Sequence, residues 1–187
     1  SYYIDHTIYT GRPADTTSRL PKEIRTYDLL DSLGIAYARA DHDTLPTMEA
    51  CQEVGNLLGI EICKNLFLRN TQKTAFYLLI LPGSKKFKTA ALSKQIGSAR
   101  LSFAEPEFME QYLNITPGSV SVLGLMNDPE NKVRLLIDKD ILKNHPYFGC
   151  HPCINTSSLK FRTEDLLNKI LPAIHHDYTM VDLPYAE

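Results

Sequence analysis

Two apolar runs, Asn65–Leu68 and Ala75–Leu81, are separated by the polar stretch Asn70-Thr71-Gln72-Lys73-Thr74. Short apolar runs on either side of a polar connection pair most simply as a β-hairpin, so the fold must contain a sheet. Helical spacing recurs around that pair. Ile24, Tyr27, Leu30 and Leu33 follow Pro21 at helix periodicity and end at Gly34, and Ile35–Ala40 behind them is β-like. Thr47 is placed to cap a helix over Met48–Leu58 that Gly59 stops, Thr89–Ile96 is followed by Gly97, and Pro106 lies in the first turn of a helix over Glu105–Leu113.

Further along, Val120–Leu125 and Val133–Ile137 flank the turn-rich Asn127-Asp128-Pro129-Glu130-Asn131, which predicts a second hairpin after the turn Thr116-Pro117-Gly118-Ser119. Asp138–Leu142 reads as a helical turn and Cys153–Phe161 as extended. Thr163 caps a helix ending before Pro172, and the tail after His175 is poorly patterned. Helices and strands mix without strict βαβ alternation, so the predicted class is α+β with a mostly antiparallel or mixed sheet. Residues 1–20 are polar and turn-rich and read as an arm laid over a single domain spanning 21–187.

Of 187 residues, 43% are hydrophobic and 22% charged, the composition of an ordinary globular protein, which sets aside disordered, collagen-like and membrane classes. The net charge of −2 hides an imbalance. Lys64, Arg69, Lys73, Lys85, Lys86, Lys88, Lys94 and Arg100 all lie between Lys64 and Ala104, where there is no Asp or Glu. That leaves 12 basic residues to face 22 acidic ones in the rest of the chain. A positive face on an acidic body attracts polyanions, although chance clustering or solvated lysines are the commoner cause of such a run. No apolar run approaches the ~20 residues of a membrane span, and the first residues lack the features of a signal peptide, so a cytoplasmic protein with no membrane partner is expected. Its four cysteines are then expected to be thiols.

The familiar catalytic signatures do not fit. Gly118-Ser119-Val120-Ser121-Val122 lacks the second glycine of a nucleophile elbow, and Gly83-Ser84-Lys85 lacks phosphate-loop spacing. Cys150-His151-Pro152-Cys153 has the spacing of a thiol–disulfide site but no preceding βαβ pattern, and zinc would need a fourth ligand that no spacing supplies. Neither a cofactor nor a metal is expected. Lys64, at the head of the apolar Asn65-Leu66-Phe67-Leu68, must reach water or find an anion, because burying the bare charge is costly. By residue type alone, snorkelling to water is the commoner outcome.

Across most of the chain the ordered set Cys63-Lys64-Asn65-Leu66-Phe67-Leu68, Phe76–Gly83, Leu101–Ala104, Thr116–Val120, Gly124–Asp128, His151-Pro152 and Asn155-Thr156 resembles the YbaK/prolyl-tRNA synthetase editing-domain superfamily, in particular its free-standing members. The resemblance implies a curled, mixed, largely antiparallel and partly barrel-like sheet flanked by helices. It also implies hydrolysis of mischarged aminoacyl-tRNA, most often alanine on proline tRNA, with aminoacyl-tRNA and prolyl-tRNA synthetase as partners and no DNA. Within it, Lys64 matches the essential lysine and Asn65 its polar neighbour. Gly118 opens the G-x-x-x-P substrate loop, whose proline position is Val122 in this chain. His151 is the size-limiting pocket residue, with Asn155 and Thr156 behind it. Cys150 and Val122 are expected to line the same pocket, and Lys85, Lys86, Lys88, Lys94 and Arg100 to form a track for the tRNA. The ester is already activated, so positioning, oxyanion stabilisation and a neighbouring ribose hydroxyl can replace a covalent nucleophile. Two alternatives stay open: a non-catalytic module binding tRNA or synthetase, and a deacylase for serine or cysteine.

Overall fold

The computed structural model describes residues 1–185; the last two residues of the expected 21–187 domain lie outside the described residues. In chain order the elements begin β1 (Tyr9–Thr10), α1 (Pro21–Ser32), β2 (Ala38–Asp41), α2 (Met48–Leu58), β3 (Cys63–Asn70), β4 (Phe76–Pro82), α3 (Thr89–Ile96), β5 (Leu101–Phe103) and α4 (Pro106–Leu113). A 3-10 helix (Val122–Asn127) leads to β6 (Val133–Asp138), α5 (Lys139–Asn144), β7 (Tyr147–Cys150) and β8 (Ser157–Arg162). The chain then passes through α6 (Thr163–Asp165), a π-helical turn (Leu166–Ile170) and α7 (Leu171–Ala173) to β9 (Tyr178–Val181).

Two sheets form, a five-stranded one in the order β5-β3-β4-β6-β9 and a four-stranded one in the order β1-β2-β8-β7. The second is antiparallel throughout; in the first, β4–β6 and β6–β9 are parallel. The α+β class with a mixed, largely antiparallel arrangement is therefore observed, as two open sheets rather than a closed barrel.

The central hairpin pairs Lys64 with Leu81 and Asn65 with Ile80. Strand β4 is buried along its whole length, and its side chains alternate between two cores. Phe76, Leu78 and Ile80 join Tyr27 and Leu30 of α1 and Phe148, Leu159 and Phe161 of the other sheet; Leu79 and Leu81 face Leu92 of α3. Each such aliphatic side chain removed from water stabilises the fold by roughly 1.5–3 kcal/mol. Helix α2 starts and stops where its sequence says. The Thr47 hydroxyl accepts from Ala50 N at 3.1 Å, and Gly59 adopts a left-handed φ of 71°.

Several expectations are corrected. Residues 122–127 form no hairpin strand; they coil into a 3-10 helix with Val122, Leu123 and Leu125 at 0% exposure, and β6 pairs in parallel with β4. A short, mostly apolar run carries too little periodicity to separate strand from buried helix. Thr163 is not a cap: Arg162 holds that position, the Thr163 hydroxyl donates to His145 O, and the helical segment runs on past Pro172. The unpatterned tail supplies edge strand β9. The arm is held against the domain by pairing of β1 with β2 and by the bridge of Ile4 with His42.

Candidate active site

Strand alternation sorts the first two candidate residues. Asn65 shares its face with Ile80 of the main core, whereas Lys64 shares its face with Leu81 of the second core. Asn65 accordingly lines a small cavity of about 50 Å³ together with Cys150, His151, Gly149 and Ser158. Lys64 lines neither this cavity nor the larger pocket described below; its Nζ donates to Lys85 O at 2.7 Å. The structure thus brings Asn65, Cys150 and His151 together and holds Lys64 one residue away on the reverse of the strand.

The cavity is short of donors. Asn65 Nδ2 points at Cys63 O, 3.5 Å away, which orients the amide, while Oδ1 is buried with no protein partner. His151 Nδ1 lies 2.8 Å from Ser157 O, an atom that can only accept, so Nδ1 bears the proton and Nε2 is left as an acceptor. Burial is the main cause lowering the His151 pKa, the Ser157 carbonyl opposes it and His42 adds to it, keeping the ring neutral near pH 7. At Gly149 a Cβ would come within 2.1 Å of Ile60 Cδ1, the end of a side chain that would have to shift to admit it. Burial also raises the Cys150 thiol pKa and pushes Cys153 to about 12, the opposite of an activated redox pair. Among the described residues no group of three His, Cys, Asp or Glu side chains is placed to hold a metal.

Beside this cavity opens a larger pocket of about 620 Å³, lined in part by His42, Thr116, Ser119, Asn155 and Thr156. The loop 116–119 reaches it through Thr116 and Ser119; Gly118 between them has a φ of 87° that favours glycine, and its Cβ position lies 3.5 Å from Asn155 Nδ2. Asn155 and Thr156, which the resemblance set behind His151, instead line the larger pocket together with Thr116 and Ser119. Val122 is the correction. With no exposed surface it packs in the main core and cannot offer a wall to a ligand.

The sequence reading missed His42 and the thin partition it forms. His42 Nε2 lies 2.9 Å from Ser158 Oγ, and the His42 and His151 rings are 6.2 Å apart. A lone histidine after an apolar run carries no signal of its own; only the pairing of β2 with β8 sets it beside Ser158. The expected track is also revised. Lys85 is 2% exposed, with Nζ 3.0 Å from Asp138, 3.2 Å from Asp182 and over the Tyr185 ring, so it is unavailable to tRNA. Burial works against its charge, but the two carboxylates outweigh it and raise its pKa. Lys86, Lys88, Lys94 and Arg100 are exposed around α3.

An open pocket sharing a partition with a cavity of a few atoms' volume suits a substrate with a large part and a very small one. The family model for the aminoacyl-tRNA editing domain matches residues 42–169, more than half of the chain, and the chain belongs to that family. As a member it is an aminoacyl-tRNA deacylase, an enzyme that hydrolyses the ester of mischarged aminoacyl-tRNA. It is 32% identical over 154 residues to the prolyl-tRNA editing protein ProX of Acetoanaerobium sticklandii, covering 82% of this chain and 93% of that protein. It is 28% identical over 142 residues to prolyl-tRNA synthetase associated domain-containing protein 1 of Bos taurus, covering 74% and 82%. A solved structure of a proposed trans-editing enzyme for prolyl tRNA synthetase superposes with a TM-score of 0.63 over 89% of this chain and 99% of that one, at 17% identity, a likeness of fold. No helix among the described residues is long and apolar enough to cross a membrane.

Proposed function

We infer that the chain edits in trans by removing alanine from Ala-tRNA(Pro), with proline tRNA as its carrier and the prolyl-tRNA synthetase as the enzyme whose errors it corrects, in the cytoplasm where tRNA is charged. The observation that carries this reading is the volume of the cavity at Asn65 and His151, about 50 Å³. An apolar cavity that holds benzene measures about 150 Å³, so a methyl side chain fits here and a pyrrolidine ring does not. A site built for proline rejects alanine weakly, because missing methylenes are worth only ~1–3 kcal/mol, and a second site that admits only the smaller side chain makes up the difference.

In this reading Asn65 Oδ1 and His151 Nε2 accept from the substrate's ammonium, the loop at Gly118 faces the ester, and the adjacent ribose hydroxyl activates water. Lys64 acts from the strand end by exchanging the Lys85 carbonyl for a backbone phosphate. A second reading, a seryl or cysteinyl ester, is favoured by the unpaired Asn65 Oδ1, which a side-chain hydroxyl or thiol would satisfy.

Purified protein incubated with Ala-, Ser-, Cys- and Pro-tRNA(Pro) should release alanine fastest and spare proline, and Lys64→Ala should lower turnover about 10²–10³-fold. A Lys64→Ala variant with a lower melting temperature but wild-type turnover would confine Lys64 to its bond with Lys85. Tight, salt-sensitive tRNA binding without release of any amino acid would leave only a binding module.

A further inference from the structure

An aminoacyl ester joins the amino acid directly to the terminal ribose. Wherever the side chain sits, the nucleoside must therefore lie next door. The pocket of about 620 Å³ lies there, within the range of nucleotide-sized ligand sites. The partition is thin: His42 lines the pocket, Ser158 lines the cavity, and the two are hydrogen-bonded at 2.9 Å.

Much of the pocket is built by residues that precede His42, where the family match begins. Tyr3 N donates to Asp43 Oδ2 at 3.0 Å, Asp43 N donates to Tyr3 O at 2.8 Å, and Asp5 N donates to Asp41 O at 3.0 Å, so the arm is fastened at the pocket's edge. Tyr3 itself stays 64% exposed. Arg19, just before α1, is matched by Glu23 at 2.9 Å and Asp41 at 3.2 Å, and the other cation of the lining, Lys22, is outnumbered by the carboxylates of Asp5, Glu23, Asp41 and Asp43. Such a surface suits an uncharged nucleoside better than a phosphate.

We propose that the arm and the start of α1 form a subsite for the 3′-terminal nucleoside of the substrate, with Tyr3 stacking on the base and Asp43 and Thr156 bonding the ribose hydroxyls. The assignment rests on the deacylase reading, and its chemistry is that of base stacking on an aromatic side chain. The test is Tyr3→Ala beside Tyr3→Phe, with kcat and KM measured on aminoacyl-tRNA and AMP binding followed by titration. Tyr3→Ala should raise KM about tenfold with kcat within twofold, weaken AMP to the same extent, and be largely rescued by Tyr3→Phe, which keeps the ring. Deacylation with an unaltered KM in Tyr3→Ala, or AMP binding indifferent to that change, overturns the subsite while leaving the deacylase reading intact. Conversely, AMP binding that depends on Tyr3 in a protein with no hydrolytic activity supports the subsite and removes the reading on which its use was based.

Discussion

His151 carries the most chemistry per atom in this site, and its protonation couples the site to the stability of the whole chain. Burial lowers its pKa below the ordinary value of 6.5, and burial likewise lowers that of His42. The unfolded chain then binds more protons than the folded one between the depressed values and 6.5, so stability rises with pH through that window and is lost as pH falls through it. The melting temperature should hold from pH 8 to 7 and drop progressively below pH 6.5, and His151→Gln should shallow that decline. A melting temperature independent of pH between 8 and 5 would contradict the buried neutral rings. Lys64 and Asn65 show what a motif conceals. They are adjacent in sequence and were legible together, yet a strand sends neighbours to opposite faces, and only the register with Leu81 and Ile80 shows that Asn65 is the one that meets His151.

Helix α3 and its flanks hold the exposed part of the basic segment. The segment's acid-free appearance is a property of the sequence window alone. Arg69 and Lys73 find Glu105, the first residue beyond it, at 2.6 and 3.6 Å, and Lys85 finds Asp138 and Asp182. Lys86, Lys88, Lys94 and Arg100 have no acidic partner within 4.0 Å among the described residues, and Phe103, stacked edge-on with Phe87 at 5.6 Å, is 59% exposed beside them. Replacing Lys86, Lys88 and Arg100 by Gln should weaken tRNA binding and reduce the salt slope by about one per lost phosphate contact. Lys85→Gln should instead lower the melting temperature, since it strands the fully buried Asp138 carboxylate. An unchanged salt slope in the triple variant would reduce the segment to a solvated face. Elements with their own punctuation, such as α2 between Thr47 and Gly59, were legible locally. The 3-10 helix at 122–127 and strands β7 and β9 were not, because burial on all sides or pairing at a sheet edge decides them, and neither leaves a periodic trace.

At the scale of the whole molecule, one family of contacts converts a linear order of weak motifs into a site. The hairpin β3–β4 carries Asn65, β7 carries Cys150 beside His151, and the loops at 116–119 and 155–156 close the larger pocket next to them. The order of these motifs was readable before any coordinates; their division between a small cavity and a large pocket was not, since it depends on which sheet each segment joins. In the function proposed above, the cavity at Asn65 and His151 selects the amino acid by size. The most direct measurement is the initial rate of deacylation of Ala-tRNA(Pro) and Pro-tRNA(Pro) by the wild type and by His151→Ala. The wild type should hydrolyse the alanyl ester and spare the prolyl one, and His151→Ala, by enlarging the cavity, should raise prolyl release toward the alanyl rate. Equal hydrolysis of both esters by the wild type, or discrimination untouched in His151→Ala, would contradict it.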